Sequence, residues 1–560
     1  MNELITVNPE KCVGCNACVR TCPAPEANIT KRLADGKFVT TVDYSKCIAC
    51  GECVRNCSHG ARDYVDDTEQ ALDLITKTNT KLIVIAAPAL KTVFPDKWKS
   101  ILEWFRNHNC FIYDVSFGAD ICTWAHLRMI QNNEVGNVIS QPCAAIVKYI
   151  ETYQPSLLAN LSPIHSPMLC GVTYIKKYLH RNERILALSP CIAKKNEFME
   201  TGLVDFNVTF KKLIEWFDER NIRITSNFAK DFKYDFAGEQ GQVGAIYPRP
   251  GGLRDNLWLH DPELNVTTSE GVHKVYPELD MYATLPESKK PEVFDVLSCE
   301  FGCNVGAGTG TDRTIFDAME TMREVEKEAK SRRKVSGGFF RGAEDKLLKR
   351  FDEELQVRDF MRFYAASTPS PMPTVQELDT VFEMMGKHSV EDRNYNCHAC
   401  GYRSCKDMAI AICRGLNTVD NCIVHAKNVL VARHSELAQR HEELADIADR
   451  CKMLSEKLNG DISAIAKKMD VIRDTNEKTS TRTDNVKNLM AQLNIFCNQR
   501  DSLDENSLKQ LTEVLNTTLE AFNGVDSFVT ESNSETSAVD LQIKEIRSLV
   551  NEINMVLDDI

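Results

Sequence analysis

The sequence predicts a multidomain α/β protein. It reads as a small cysteine-rich α+β domain, a large α/β domain, a small helical cysteine-rich domain and a long α-helical tail. Three observations predict this. Eight cysteines fall in two identically spaced runs before residue 60. Apolar strand-like stretches then alternate with amphipathic helical ones, the pattern of an α/β unit. No proline occurs beyond residue 435, where apolar residues recur at helical spacing.

Length and charge bound the answer. At roughly 150 residues per domain, 560 residues suggest about three or four units. The net charge of -13 argues against a nucleic-acid partner, which favours a basic face. The opening MNELITVNPEKC has no basic stretch followed by an apolar run, so no signal peptide is expected. The most apolar short run, 82–87, is far below bilayer length, so no membrane partner is expected. These features predict a cytoplasmic, reducing setting, where the clustered thiols among 22 cysteines serve metal rather than disulfides.

Residues 1–70 hold the first element. Cys12, Cys15, Cys18 and Cys22 form one run, and Cys47, Cys50, Cys53 and Cys57 the other, each spaced C-x2-C-x2-C-x3-C. Three short steps wrap a chain around three corners of a [4Fe–4S] cube. The pattern resembles two-cluster ferredoxins, in which the fourth cysteine ligates the other cube. The resemblance pairs Cys12, Cys15 and Cys18 with Cys57, and Cys47, Cys50 and Cys53 with Cys22. Ser58 stands where a proline usually follows the second run.

Residues 78–370 hold the α/β domain, with buried strands expected at 82–87, 185–188 and 244–247. Its cysteines lie in three motifs: Cys143 in ISQPCAAIVKYIE, Cys191 in LSPCIAKKNE, and Cys299 and Cys303 in DVLSCEFGCNVGAG. Spacing alone leaves two readings open, four thiolates converging on one cluster or ordinary buried cysteines. Residues 371–389 read as a linker and short helix. Residues 390–430 carry Cys397, Cys400, Cys405 and Cys422, with Gly401 allowing a tight turn. This segment resembles a small Fe–S domain of bacterial redox proteins and suggests a further [4Fe–4S] site. Zinc remains the alternative. Cys413 is spare.

The tail, 435–560, shows three-and-four spacing through Ile462, Ile465, Met469, Ile472, Asn476, Thr479, Thr483 and Val486. A second series is Leu508, Leu511, Leu515, Thr518, Phe522, Val525 and Val529. A third is Val539, Ile543, Ile546, Val550, Ile553, Leu557 and Ile560. Such spacing keeps one seam toward a partner helix. A dimeric coiled coil, hence a homodimer, is the leading expectation. An amphipathic pair packed within one chain is the other. The polar stretch 498–507 is the expected turn of a hairpin.

The three central motifs resemble the signature segments of the [FeFe]-hydrogenase active-site domain. The likeness runs from about 80 to 365 and takes in Ala86-Ala87-Pro88-Ala89, Phe117-Gly118-Ala119-Asp120, Ser162, Ser166-Pro167 and Pro250-Gly251-Gly252. It implies a two-lobed α/β domain behind a ferredoxin-like α+β domain. It also implies that Cys143, Cys191, Cys299 and Cys303 hold a [4Fe–4S] cube. Cys303 would bridge to a diiron unit carrying CO, cyanide and a dithiolate, forming the H-cluster. Lys194 matches the lysine that hydrogen-bonds a cyanide. Ala87, Pro88 and Ser166 match positions lining the pocket, and Ser162 and Glu197 match proton-path positions. The implied reaction is H2 = 2 H+ + 2 e-, with electrons leaving through the cubes to ferredoxin or another electron-transfer protein.

The chain departs from the family at telling positions. Pro142 replaces the proton-relaying cysteine before the first cluster cysteine. His126 and Met129 replace relay glutamates, Ser189 and Leu297 replace methionines flanking the cofactor, and the relay reads as broken. His126 titrates near neutral pH and offers a substitute route. This pattern resembles the sensory members better than the catalytic ones. The expectation is therefore a slow hydrogenase in an anaerobic cytoplasm, sensing H2 or redox state and acting through its helical tail on a separate kinase or phosphatase partner. A working ferredoxin-linked hydrogenase with a substitute proton path, and a non-enzymatic Fe–S protein without the diiron unit, are the alternatives.

Overall fold

A computed structural model of the chain describes residues 3–132, 134, 136–225, 236–310, 314–333, 335–336, 344–368, 370–472, 510, 513–514, 517 and 537–558. By contact the chain divides into Met1–Ala426 and Lys427–Ile560. The first unit takes in the first three regions expected from the sequence and all four cysteines of the fourth.

In the N-terminal part, β1 (Ile5–Val7) pairs antiparallel with β4 (Arg62–Tyr64), and β2 (Asn28–Arg32) with β3 (Phe38–Val42). Each cysteine run passes through one short helix, Ala17–Arg20 or Glu52–Arg55, so the domain is a twofold repeat of loop, helix and strand. This is the α+β arrangement the sequence predicts.

The central part holds two parallel sheets. One has the order β6 (Phe111–Asp114), β5 (Leu82–Ala86), β8 (Arg184–Ser189), β9 (Phe206–Thr209), with Ile83 registered on both Phe111 and Ile185. Every residue of β5 is buried, as expected for a parallel strand covered on both faces. The second sheet has the order β10 (Val266–Glu270), β11 (Val293–Leu297), β7 (Val138–Ile139). Two of the three expected strands are present. The third, 244–247, is instead a 3-10 turn, Val243–Ile246. Asp120 accepts from Gln242 N at 2.5 Å and Gly244 N at 2.7 Å, and Ala245 N and Tyr247 N donate to Gln242 O and Gly244 O within the turn.

The long buried helix Val115–Gln131 follows β6, capped by Asp114, which accepts from Ser116 N at 2.9 Å. It crosses helix Pro167–Thr173 at Gly118, where a Cβ would stand 2.6 Å from Gly171 N and collide with Pro167 O. Gly118 in the Phe-Gly-Ala-Asp motif is thus a backbone-contact requirement.

In the second unit, helix Ser537–Asp558 buries Leu549, Ile553 and Leu557 against Ala448, Cys451 and Val514. Arg547 donates to Ser463 Oγ at 2.6 Å, and Ser455 Oγ to Val550 O at 3.5 Å. Helix Ile423–Ile472 supplies the opposing residues, and the pair runs antiparallel. The seam positions Val550, Ile553 and Leu557 therefore face this chain's own helix, the packing of the second reading. The side chains of Ile462, Ile465, Met469, Ile472, Val539 and Ile543 lie outside the described residues. So do Asn476, Thr479, Thr483, Val486, Leu508, Leu511, Leu515, Thr518, Phe522, Val525, Val529, Ile560 and the expected turn at 498–507. The helical tail begins at Ile423, directly after Cys422, rather than near 435. No described helix is long and apolar enough to cross a membrane.

Candidate metal centres

The two N-terminal runs adopt one backbone. Gly14 (φ 68°) and Asn16 (φ 59°) in the first match Ala49 (φ 55°) and Gly51 (φ 79°) in the second. Alternating left-handed residues curl the chain so that amides turn inward, a concavity suited to anionic sulfur. Ala49 N donates to Cys47 Sγ at 3.4 Å and Ala61 N to Cys57 Sγ at 3.3 Å. Burial raises the thiols of Cys22, to about 12, and of Cys50, and each is raised further by its cysteine neighbours: Cys22 by Cys47, Cys50 by Cys22 and Cys53. Cys22 thus bears on Cys47, Cys50 and Cys53 across the repeat as well as on Cys18 of its own run. Cys18 feels Cys12 and Cys15.

The central cysteines come from carboxyl ends of parallel strands, where open α/β sheets place their ligands. Cys143 follows β7 and caps helix Ala144–Tyr153. Cys191 lies between β8 and helix Lys194–Thr201. Cys299 and Cys303 follow β11, Cys303 in the turn Gly302–Asn304. The two sheets bring these ends together. Burial raises the Cys299 thiol, and Cys143, Cys191 and Cys303 raise it further. Burial likewise lifts Cys303 to about 12, with Cys191 and Cys143 adding and Lys194 opposing. Gly306 leaves room beside Cys299, since a Cβ there would approach its Sγ to 3.4 Å.

Four half-buried cysteines whose charges would oppose one another ionise readily only beside a compensating cation, which a metal centre supplies. Among the described residues no three His, Cys, Asp or Glu side chains stand close enough to hold a single ion. Four cysteine donors suit an iron–sulfur cube, and four thiolates also satisfy zinc. The same holds for Cys397, Cys400, Cys405 and Cys422, which line one small cavity with Lys387, Tyr402 and Met408. Burial lifts Cys400 to about 11, with Cys422 and Cys397 adding. Cys405 N donates to Asn396 Oδ1 at 2.8 Å, and Gly401 (φ 90°) lies so close to Val19 and Asn16 that a Cβ would sit 2.8 Å from Val19 Cβ.

The centres are contiguous within the first unit. Cys18 and Val19 pack in the apolar group of Cys400, Cys405 and Cys422. Cys22, Cys47, Cys50 and Cys53 pack in the group that holds Cys143, Cys191 and Ile192. Cys303 packs against another, containing Ala87 and Met168. Pro88, the cap of helix Ala89–Val93, follows at the carboxyl end of β5.

The expected proton-path residues fall in two networks. In one, Glu197, 3% exposed, accepts from Lys194 Nζ at 2.5 Å and Ser166 Oγ at 3.1 Å, with Arg362 Nη1 at 3.5 Å. In the other, Ser162 Oγ meets His126 Nε2 at 2.9 Å, while His126 Nδ1 stands 2.8 Å from Cys122 O and 3.6 Å from Cys122 Sγ. Burial pushes His126 down, but the adjacent Cys122 thiol outweighs it and the net shift is upward. Burial alone would raise Cys122; its bonds to Cys170 and His126 turn the net shift downward. Pro142 offers nothing to either network. Sequence reasoning missed Cys122 and Cys170, which lie between the two: Cys170 bonds Cys122 and feels Glu197 and Lys194. The signal available was the one-turn spacing of Cys122 and His126 on a buried helix.

Residues 80–274 match the iron only hydrogenase large subunit, C-terminal domain; residues 11–61 match a 4Fe-4S dicluster domain; residues 394–424 match an Fe-S cluster model. A search of curated proteins finds no match. Among solved structures, one [FeFe]-hydrogenase, described in a study of oxygen inactivation and degradation of the H cluster 2Fe subcluster, is 14% identical with a TM-score of 0.41, covering 54% of this chain and 99% of that one. The apo [FeFe]-hydrogenase of Chlamydomonas reinhardtii, in a cysteine-to-histidine variant, is 14% identical with a TM-score of 0.40, covering 55% of this chain and 100% of that one. On these sequence matches the chain carries an iron only hydrogenase domain at residues 80–274 behind a 4Fe-4S dicluster domain at residues 11–61, the make-up of a hydrogenase-like Fe–S protein.

Proposed function

We propose that the chain is a slow hydrogenase that senses H2 or redox state, with four cubes and a diiron unit on Cys303. The observation that carries this is the convergence of Cys143, Cys191, Cys299 and Cys303 at strand ends, with the buried ammonium of Lys194 bearing on Cys191 and Cys303. The bound diiron unit would supply heterolytic H2 cleavage. The protein's own part is to hold that unit through Cys303, present Lys194 to it, and exclude water with Ala87, Pro88 and Met168. Ser166 and Arg362 fix the Glu197 carboxylate, which in turn fixes Lys194. Electrons would leave through the Cys22/47/50/53 cube, then the Cys12/15/18/57 cube, then the Cys397/400/405/422 cube. The shared apolar packing of these ligands supports that order.

Pro142 supports low turnover, since no side-chain proton carrier stands there. The Ser162–His126 contact favours a second reading, a working enzyme with a substitute proton path. The same proposal places the protein in an anaerobic cytoplasm, exchanging electrons with ferredoxin and signalling to a separate kinase or phosphatase. It also includes a homodimer through the tail as a coiled coil. Exposed Leu430 and Leu437 on helix Ile423–Ile472, seven residues apart, support that interface.

After anaerobic maturation, infrared bands of CO and cyanide are expected; their absence leaves an Fe–S protein only. H2 oxidation with an artificial acceptor is expected to be slow, and Pro142→Cys is expected to raise it by about 100-fold, the low end of what a positioned proton carrier contributes. Fast turnover in the unmodified protein defeats the sensory reading, and no gain in Pro142→Cys rejects the broken relay.

A further inference from the structure

Arg62 opens β4, directly after the second cysteine run, and is 5% exposed. Its Nη2 donates to Thr40 O at 2.9 Å, Asn28 Oδ1 at 3.2 Å and Cys18 Sγ at 3.5 Å. The two oxygen acceptors are neutral. Among the described residues Arg62 forms no ion pair with a carboxylate, and its buried Nη1 has no acceptor within the protein. A buried cation needs a compensating anion. The groups that bear on it are the sulfurs of both sets: Cys18 first, then Cys53 and Cys22. The guanidinium that carries this unsatisfied donor therefore lies against cube ligands, with Cys18 Sγ 3.5 Å from its Nη2.

We propose that Arg62 sets the reduction potentials of the two N-terminal cubes, raising both, and most strongly that of the cube on Cys18. The inference rests on the cluster reading above. Each one-electron reduction adds one negative charge to a cube. A fixed guanidinium in a low-dielectric site stabilises that reduced state, and hydrogen bonds to the sulfurs act in the same direction. The nearer cube gains more. Electrons arriving from the central site are thereby drawn past the Cys22/47/50/53 cube to the Cys12/15/18/57 cube, next to the Cys397–Cys422 centre. Arg62 is a positioning charge here and exchanges no proton.

The test uses the full chain, anaerobically reconstituted, with iron and sulfide counted for every variant. Cubes are titrated with dithionite and followed by electron paramagnetic resonance. Arg62→Gln should lower both midpoint potentials and reduce the equilibrium constant for reducing the Cys18-side cube roughly tenfold or more, with a smaller drop for the other. Arg62→Lys should retain most of the wild-type value. Asn28→Asp leaves Arg62 in place but supplies a neutralising carboxylate, and should lower the potentials in the same order; it decides the matter if Arg62→Gln fails to take up cubes. Full cubes with unmoved potentials in these variants overturn the inference alone. Wild-type protein without N-terminal cubes overturns the cluster reading and this inference together.

Discussion

Replacing Glu197 by Gln should loosen the central domain around Lys194–Thr201. The carboxylate is buried and answers two cations. Arg362 keeps a second acid, Glu200 at 3.6 Å, and stacks on Tyr364 with its guanidinium 4.6 Å from the ring centre. Lys194, 9% exposed at its side chain, has no other ion-pair partner among the described residues. Removing one member of a buried pair costs about 3–5 kcal/mol, because the other charge is left uncompensated. Glutamine still offers one oxygen to Lys194, so the lower end, about 3 kcal/mol, applies. Lys194→Met should cost less, about 2 kcal/mol, since Glu197 keeps Ser166 and Arg362. The double variant should recover part of the loss, with at least about 1 kcal/mol of coupling. Because a multidomain cluster protein does not unfold in one step, the assay is native-state hydrogen exchange of the peptide at 194–201, where about 3 kcal/mol appears as a roughly hundredfold faster local opening. Additive single effects, or a Glu197→Gln change below about 1 kcal/mol, would refute the reasoning.

Cys299→Ser should remove about four irons per chain, one cube, by iron assay, whereas Cys170→Ser should leave the iron count unchanged. Gly51→Ala should destabilise the junction of the N-terminal and central parts by about 2–4 kcal/mol. The residue sits at φ 79°, and a Cβ would collide with Ala307 and approach Ile192 Cδ1 to 2.8 Å. A lowered Tm, with faster exchange at 302–307, is the expected readout. Asp120 gives a pH signature. Burial lifts its carboxyl from 3.8 to about 7, despite the two amide bonds. The folded state therefore holds this proton more tightly than the unfolded one, so the contribution is full below about pH 4. It declines as pH rises toward 7, by at most about 1.4 kcal/mol per unit. Asp120→Asn should flatten that slope in exchange measured between pH 4 and 7; an unchanged slope would mean that the carboxylate is ionised throughout.

What the sequence by itself determined is whatever the chain can build locally. Three ligands within seven residues must wrap one object, and Gly14, Asn16, Ala49 and Gly51 carry out that wrapping through their own backbone angles. The buried strands 82–86 and 184–189 were legible for the same reason, as apolar runs longer than any loop tolerates. The segment 244–247 looked alike but turns where Asp120 takes the amides of Gln242 and Gly244, a fact set by a helix more than a hundred residues away. Only the tertiary structure decided that Cys143, Cys191, Cys299 and Cys303 meet, because sheet order, not spacing, sets which strand ends adjoin. It likewise decided that Ser162 faces His126, that Arg62 lies between two cysteine sets, and that the seam at Val550 to Leu557 finds its partner within the chain. Periodicity fixes which face of a helix is apolar, but a helix repeats along its length and carries no address for the surface that covers it.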